Sequence, residues 1–209
     1  MESASRGRGR PKRVDEHKVL AEVLNVFWQK GYSGASLGDL AVAAKVSRPS
    51  LYEALGDKRV MYVAALDTVI DLLEASLAAT LSAERPLREE LSSFFSQSIA
   101  LYCSGTQPRG CPIMCTAPAE ALEEPLAQAA LARAIGILDR AFEERFQAAK
   151  SAGEIVDTAD PHFLALQATA LLQSLALRAR SGGDAVGLSE IAQSIIVNLL
   201  AAKSVDINE

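Results

Sequence analysis

Apolar residues return every three or four positions through most of the chain, and the interruptions fall at residues that cap or break helices. Leu20, Val23, Leu24, Phe27 and Trp28 share one face of a helix over about residues 15–30, which Gly31 and Tyr32 close. Ser36, with Asp39 three residues later, has the form of a capping box with Asp in place of Glu, and Leu37, Leu40, Ala41 and Ala44 follow as a helix of about two turns. Ser47 then caps a second short helix, about Arg48 to Leu55, with Pro49 in its first turn, where a missing N–H costs nothing, and Gly56 at its end. Two short capped helices joined by a tight turn, behind one longer amphipathic helix, form the layout of a helix-turn-helix module.

Beyond Gly56 the helical period continues. Asp57 caps a long helix to about Leu81 through Val60, Ala64, Leu66, Val69, Ile70, Leu73 and Leu77. Pro86 opens another with Leu87, Leu91, Phe94, Phe95, Ile99 and Tyr102; residues 105–112 read as a loop, and a short helix runs through Cys115 to Leu122 over Pro118. Pro125 starts a helix over about 125–151 with Leu131, Ile135, Leu138, Phe142 and Phe146. Asp160 and Pro161 pair as N-cap and first helical residue of a segment to about Arg180; Ser181, Gly182 and Gly183 break it before a last stripe of Leu188, Ile191, Ile195, Ile196, Leu199 and Leu200. No alternating run of strand length occurs, so the expected class is all-α, with an N-terminal three-helix helix-turn-helix domain and a larger C-terminal helical domain.

Charge divides the chain at the same place. Residues 1–60 hold 11 Lys or Arg against 7 Asp or Glu, and the remainder holds 10 against 19, so a net charge of −5 conceals a basic head on an acidic body. A basic head suits a polyanion. Residues 1–13 have nothing to pack and read as a flexible basic arm, with Arg6, Arg8, Arg10, Lys12 and Arg13 either threading a minor groove or merely solubilising the terminus. The resulting division is an arm over 1–13, a helix-turn-helix domain over 14–57 and a helical body over 58–209.

With those elements in place, the segment ASLGDLAVAAKVSRPSLYEALGDKRVMYVAAL from Ala35 to Leu66 resembles the DNA-binding signature of TetR-family transcriptional regulators. A hydroxyl at the start of the second helix, a Val-Ser turn, Leu51 with Tyr52, and Asp57 with Lys58 carry the likeness over about residues 14–66. The module's chemistry places Arg48 where it can meet guanine O6 and N7, with Pro49 and Ser50 beside base edges or thymine methyls. The resemblance implies that Ser36 and Tyr52 donate to phosphates and that Lys58 clamps the backbone, whereas Leu51 is read as turning inward to the small core with Leu40, Val46 and Leu24. Glu53, Ala54 and Leu55 depart from the family's pattern, and an acidic Glu53 repels phosphate unless it accepts from cytosine N4.

The resemblance also implies a homodimer on palindromic double-stranded DNA and an effector pocket in the body. For the pocket, Phe94, Phe95, Tyr102, Met114, Phe142 and Phe146 are the candidates, against the alternative that they only fill the core. Apolar residues run almost all round the helix at 160–180, so two of its faces need cover; Phe163, Leu172 and Leu175 there, with Ile191, Ile195 and Leu199 on the last helix, are the candidate dimer contacts.

Three cysteines fit no disulfide framework. Cys111 follows Arg109 and precedes Pro112 at a helix start, where guanidinium and helix N-terminus favour thiolate, so Cys111 with Cys103 or Cys115 is a candidate redox or electrophile sensor; buried inert thiols are the alternative. His17 and His162 are far apart and no nucleotide-binding or hydrolase motif occurs, so no metal, cofactor or enzyme is expected, with Cys111 chemistry the one enzymatic remnant. No apolar span or leader is read, which points to the cytoplasm. A ligand-responsive repressor is the leading expectation; a helical adaptor that does not bind duplex DNA is the alternative.

Overall fold

The computed structural model describes residues 15–105 and 109–201, and the basic arm expected at 1–13 lies outside them. Among the described residues the structure is all helix: α1 (Glu16–Gly34), α2 (Leu37–Ala43), α3 (Arg48–Leu55), α4 (Lys58–Thr80), α5 (Leu87–Tyr102), α6 (Pro112–Glu120), α7 (Pro125–Ser151), α8 (Pro161–Arg180) and α9 (Ala185–Ala201). Local chemistry sets most of their starts. Asp15, Ser36, Ser47, Asp57 and Asp160 each accept a hydrogen bond from a backbone N–H of the first turn, and Pro112, Pro125 and Pro161 occupy the first helical position of α6, α7 and α8.

Two boundaries differ from the sequence reading. α1 extends to Gly34 across a break at Gly31, whose φ of +70° sets the last turn apart and is reached at low cost by glycine. α6 ends at Glu120, short of the expected Leu122, and its start falls at Pro112, because Cys111 holds the extended N-cap conformation and proline has no N–H to leave unpaired. The turn between α2 and α3 is made by Lys45 at φ +54°, a left-handed conformation on a residue with a side chain.

α1, α2 and α3 pack on one another around Val23, Phe27, Leu40 and Leu51, which are fully buried, with Leu24 and Val46 half-buried against them. Phe27, Tyr32 and Tyr62 form an aromatic cluster with ring centres 5.1–6.2 Å apart, which fixes α1 to α4. In the body α7 and α8 pair along their length, α4 lies on α7, and α9 lies on α5 and α8. The short α6 sits against α1, α4, α7 and α8. Tyr62 and Thr116 hydroxyls meet at 2.9 Å across the α4–α6 contact.

The body's far end is held by a buried ion cluster. Glu90 and Arg145, 0% and 1% exposed in their side chains, meet at 2.5 Å, and Arg145 also donates to Glu154 at 3.2 Å and to the Arg85 carbonyl at 3.0 Å. Glu154 in turn accepts from the Leu87 N–H, capping α5 where Pro86 offers no side-chain oxygen.

Gly110, in the loop before α6, is where backbone sterics are tightest. Its φ is +68°, and a Cβ there would overlap the Ala176 carbonyl oxygen of α8 and lie 2.6 Å from Cys115 Sγ. Gly110→Ala should therefore lower stability by about 3 kcal/mol or more, from strained backbone and overpacking together. Denaturant unfolding of the two proteins measures it; a loss within about 0.5 kcal/mol, the usual size for an unconstrained surface position, would show that the loop relaxes freely.

Candidate nucleic-acid interface and ligand cavity

The helix-turn-helix presents a compact polar end. Ser36 accepts from the Asp39 N–H at 3.1 Å while the Ser36 N–H donates to the Asp39 carboxylate at 3.0 Å, completing the capping box at the start of α2. Lys30 donates to the same carboxylate at 2.8 Å and, with Ser36, holds it far below the usual carboxylate range. Ser47 accepts from the Ser50 N–H at 3.2 Å, and their hydroxyls lie 2.9 Å apart at the start of α3. Both serines are thus engaged as caps, with the Ser36 side of α2 facing solvent.

Arg48 and Pro49 are exposed in the first turn of α3. The Arg48 guanidinium lies across the start of α2: a Cβ on Gly38 would sit 2.9 Å from one of its terminal nitrogens and 3.5 Å from Ser36 Oγ. The structure therefore brings Ser36 and Arg48 together around a bare backbone at Gly38, a residue whose part in the site has no motif to announce it. Tyr52 is 44% exposed on α3, and Glu53 is exposed beside it. Lys58, at the first position of α4, is half-buried with its ammonium 4.3 Å from the centre of the Tyr32 ring, a cation–π contact that positions it beside the α3–α4 turn. Leu51 is fully buried.

The body contains an apolar cavity of about 270 Å³ bounded by α1, α4, α5, α6, α7 and α8. Phe94, Tyr102 and Met114 are on its wall, as expected from the sequence. Phe95, Phe142 and Phe146 are not. They are at most 1% exposed and fill the core, where Phe142 stacks on Phe95 at 6.0 Å and meets Phe94 edge-on at 5.5 Å; packing claims these rings. Leu24 and Trp28 of α1 and Cys111, the N-cap of α6, complete part of the wall, which periodicity in the sequence does not reveal.

Burial also reverses the expectation for the cysteines. Cys111 lies among apolar groups, and desolvation pushes its thiol up to about 11 despite the two backbone N–H groups, of Ile113 and Met114, that favour thiolate. Arg109 does not offset this, since its guanidinium lies 3.8 Å over the Trp28 ring. Cys115, whose thiol donates to the Ala176 carbonyl at 3.6 Å, and Cys103 are raised by burial as well. All three are free thiols.

Half of the candidate dimer contacts turn inward. Leu172, Leu175 and Leu199 are at most 5% exposed, covered by α7, α9 and the α5 side of the body, and Leu172 borders the cavity. Ile191 and Ile195 are half-buried and Phe163 is 53% exposed. The outer stripe of α8 is instead Phe163, Leu166, Ala170 and Leu177, at helical spacing, with Val186 and Val197 exposed on α9.

A capped helix pair with an exposed reading helix, joined to a helical body with an apolar cavity, defines a helix-turn-helix DNA-binding regulator. The chain belongs to the TetR family: residues 19–65 match the model of bacterial regulatory proteins of that family, and residues 88–195 match that of a tetracyclin repressor-like C-terminal domain. It is similar to the HTH-type transcriptional repressor ComR of Escherichia coli K12, 27% identical over 188 residues and 90% of each chain. Among solved structures, a cysteine-substituted TetR-family regulator CifR complexed with 26-base-pair operator DNA covers 93% of this chain and 100% of its own at 26% identity and a TM-score of 0.74. The reduced form of Escherichia coli NemR shares the fold at 19% identity and a TM-score of 0.78, with 91% and 98% covered. The activity is transcriptional regulation rather than catalysis. Among the described residues no helix is long and apolar enough to cross a membrane.

The raised thiol at Cys111 has a kinetic consequence. With its pKa moved from 9.0 to about 11, the thiolate population at neutral pH falls about 100-fold, so iodoacetamide should alkylate Cys111 far more slowly in native than in urea-unfolded protein. Peptide mass spectrometry at timed intervals measures both rates, and equal rates would show that the native thiol is ionised and accessible.

Proposed function

We propose that the protein is a homodimeric repressor that binds a palindromic operator and leaves it when a small molecule occupies the body cavity. The observation that carries this reading is the convergence of Ser36, at the start of α2, and Arg48, in the exposed first turn of α3, around the bare backbone of Gly38, beside Lys58 held on Tyr32, in a chain whose body has an apolar cavity bordered by α4. Arg48, with Pro49 and Ser50, faces base edges; Ser36, Tyr52 and Lys58 grip phosphates and set register. The outer stripes of α8 and α9 pair with their copies across a two-fold axis, placing the two reading helices about one turn of DNA apart, about 34–36 Å.

Repression is supported by the likeness to ComR, a transcriptional repressor, the operator complex by the likeness to CifR, which is held on operator DNA, and effector control by the cavity. α4 contributes Val69, Leu72, Leu73 and Ser76 to the cavity wall and Lys58 to the reading head, so an occupant that favours one arrangement of α4 changes the spacing of the two heads. Affinity for effector falls on operator by the same factor as operator affinity falls on effector. A second reading, covalent modification, has Cys111 on the cavity wall with Cys115 one turn along α6; the high Cys111 pKa restricts it to reagents that do not need a standing thiolate.

The operator is found by selecting duplexes from a random pool and confirmed by footprinting. On that operator Arg48→Ala should cost about 1–3 kcal/mol and relax preference at one base pair, while Lys58→Ala should weaken every sequence alike and reduce the salt slope by about one. Equal losses on operator and random DNA would remove Arg48 from base readout. Absence of any duplex binding at low salt would favour the adaptor alternative.

Assembly is tested separately. Leu166→Glu with Leu177→Glu, both on the exposed stripe of α8, should give folded monomers whose operator affinity drops by about 100-fold or more, because two half-sites no longer act together. Sedimentation velocity and a mobility-shift titration report the two quantities. A monomeric double variant that binds the palindrome at full strength would overturn the dimer.

A further inference from the structure

The junction between head and body contains one side chain that serves both. Trp28 belongs to α1 and is the sole tryptophan, yet its ring forms part of the cavity wall together with Leu24 of the same helix. Its indole N–H donates to the Gly110 carbonyl at 2.9 Å, in a buried bond between the head and the loop before α6. Arg109 covers the ring, and Arg180 at the end of α8 donates to the carbonyls of both Trp28 and Arg109 at 3.1 Å. Cys111, Pro112, Ile113 and Met114 follow Gly110 directly and continue the same wall.

The wall's chemistry restricts the occupant. Its polar side chains are Ser76, Gln97, Ser98, Tyr102, Cys111 and Gln173, and none of the described lining residues is an Asp, Glu, Lys or Arg. Burial pushes the Tyr102 phenol well above its ordinary value, so it stays neutral too. A carboxylate or ammonium entering this space loses its water with no charged side chain among the described wall residues to meet it, the Arg109 guanidinium being already stacked on Trp28, whereas a neutral molecule with one or two hydrogen-bonding groups loses little.

We propose that the cavity takes an uncharged, mainly apolar small molecule that rests against the Trp28 ring, and that Trp28 is the side chain that passes its presence to the reading head. This rests on the effector-cavity reading above. α1 is the helix on which α2 and α3 pack, through Val23 and Phe27 against Leu40 and Leu51. An occupant that displaces the indole withdraws its N–H from Gly110, and the same movement carries α1 and the two short helices with it. Trp28 therefore has two discrete arrangements, bonded to Gly110 or displaced by ligand, and the two sites bias one equilibrium.

Filling the cavity by substitution tests the route without an identified effector. Ser98→Phe on α5 and Ala134→Leu on α7 each add volume to the wall, and each is made with Trp28 present and with Trp28→Ala, helical circular dichroism confirming the fold. Each filler should weaken binding to the selected operator by at least about fivefold when Trp28 is present, the lower end of ordinary allosteric coupling, and by less than about twofold in Trp28→Ala. Equal weakening in both backgrounds would leave the cavity in control of DNA binding but overturn Trp28 as its route. No weakening with Trp28 present would overturn the effector-cavity reading and this proposal with it.

The unsubstituted protein supplies a second measurement that no folding defect can obscure. 1-Octanol should change the emission of Trp28 and release operator DNA, and octanoate at the same concentration should do neither. Release by octanol without a change in emission would overturn the contact with Trp28, equal action of octanoate would overturn the uncharged class, and unchanged emission with octanol would overturn the site as drawn.

Discussion

The loop before α6 approaches the backbone of α8 so closely at Gly110 that no side chain fits between them. Much of the head–body geometry depends on that approach. It presents the Gly110 carbonyl to the Trp28 indole, sets Cys111 as the N-cap of α6, and brings Cys115 to the Ala176 carbonyl. α6 is then fixed against α1 and α4, where Tyr62 and Thr116 close a second bond. A close backbone contact outside the helix-turn-helix thus fixes how α6 meets α1, the helix on which α2 and α3 pack.

Much of the fold is legible in the sequence because its punctuation is local. Serine and aspartate caps and prolines at first helical positions act within one turn, so the starts of α2, α3, α4, α7 and α8 follow from neighbouring residues alone. α3 itself is legible for the same reason, since it is a single short capped helix whose buried position, Leu51, is evident from spacing. α6 shows the limit. Pro112 marks its start locally, but the close approach of Gly110 to α8, which seats that start, involves a residue more than sixty positions away.

Which side chains of the body line its cavity is less legible, for a physical reason. Phe94 and Phe142 have the same residue type and each lies at helical spacing from apolar neighbours, yet one borders the cavity and the other packs on Phe94 and Phe95. Which way a ring turns depends on the rotation of its helix against others, and the sequence pattern of one helix does not contain that angle. The same holds for α8, where Leu175 and Leu177 differ only by two positions but face core and solvent respectively. At Cys111 the sequence presents two thiolate-favouring features, and desolvation, a property of the packed surroundings, outweighs both.

The cap that Glu154 places on α5 has a consequence for how the body assembles. The first turn of α5 receives its acceptor from a residue 67 positions later, and the Glu90–Arg145 pair ties the same end of α5 to α7. α5 therefore has no complete N-terminus until α7 and the segment after it are in place, and a nascent chain cannot settle this region helix by helix as it is made. Order at this end of α5 and α7 is gained and lost together, so strain introduced there is shared by the two helices instead of being relieved by fraying of the α5 start alone.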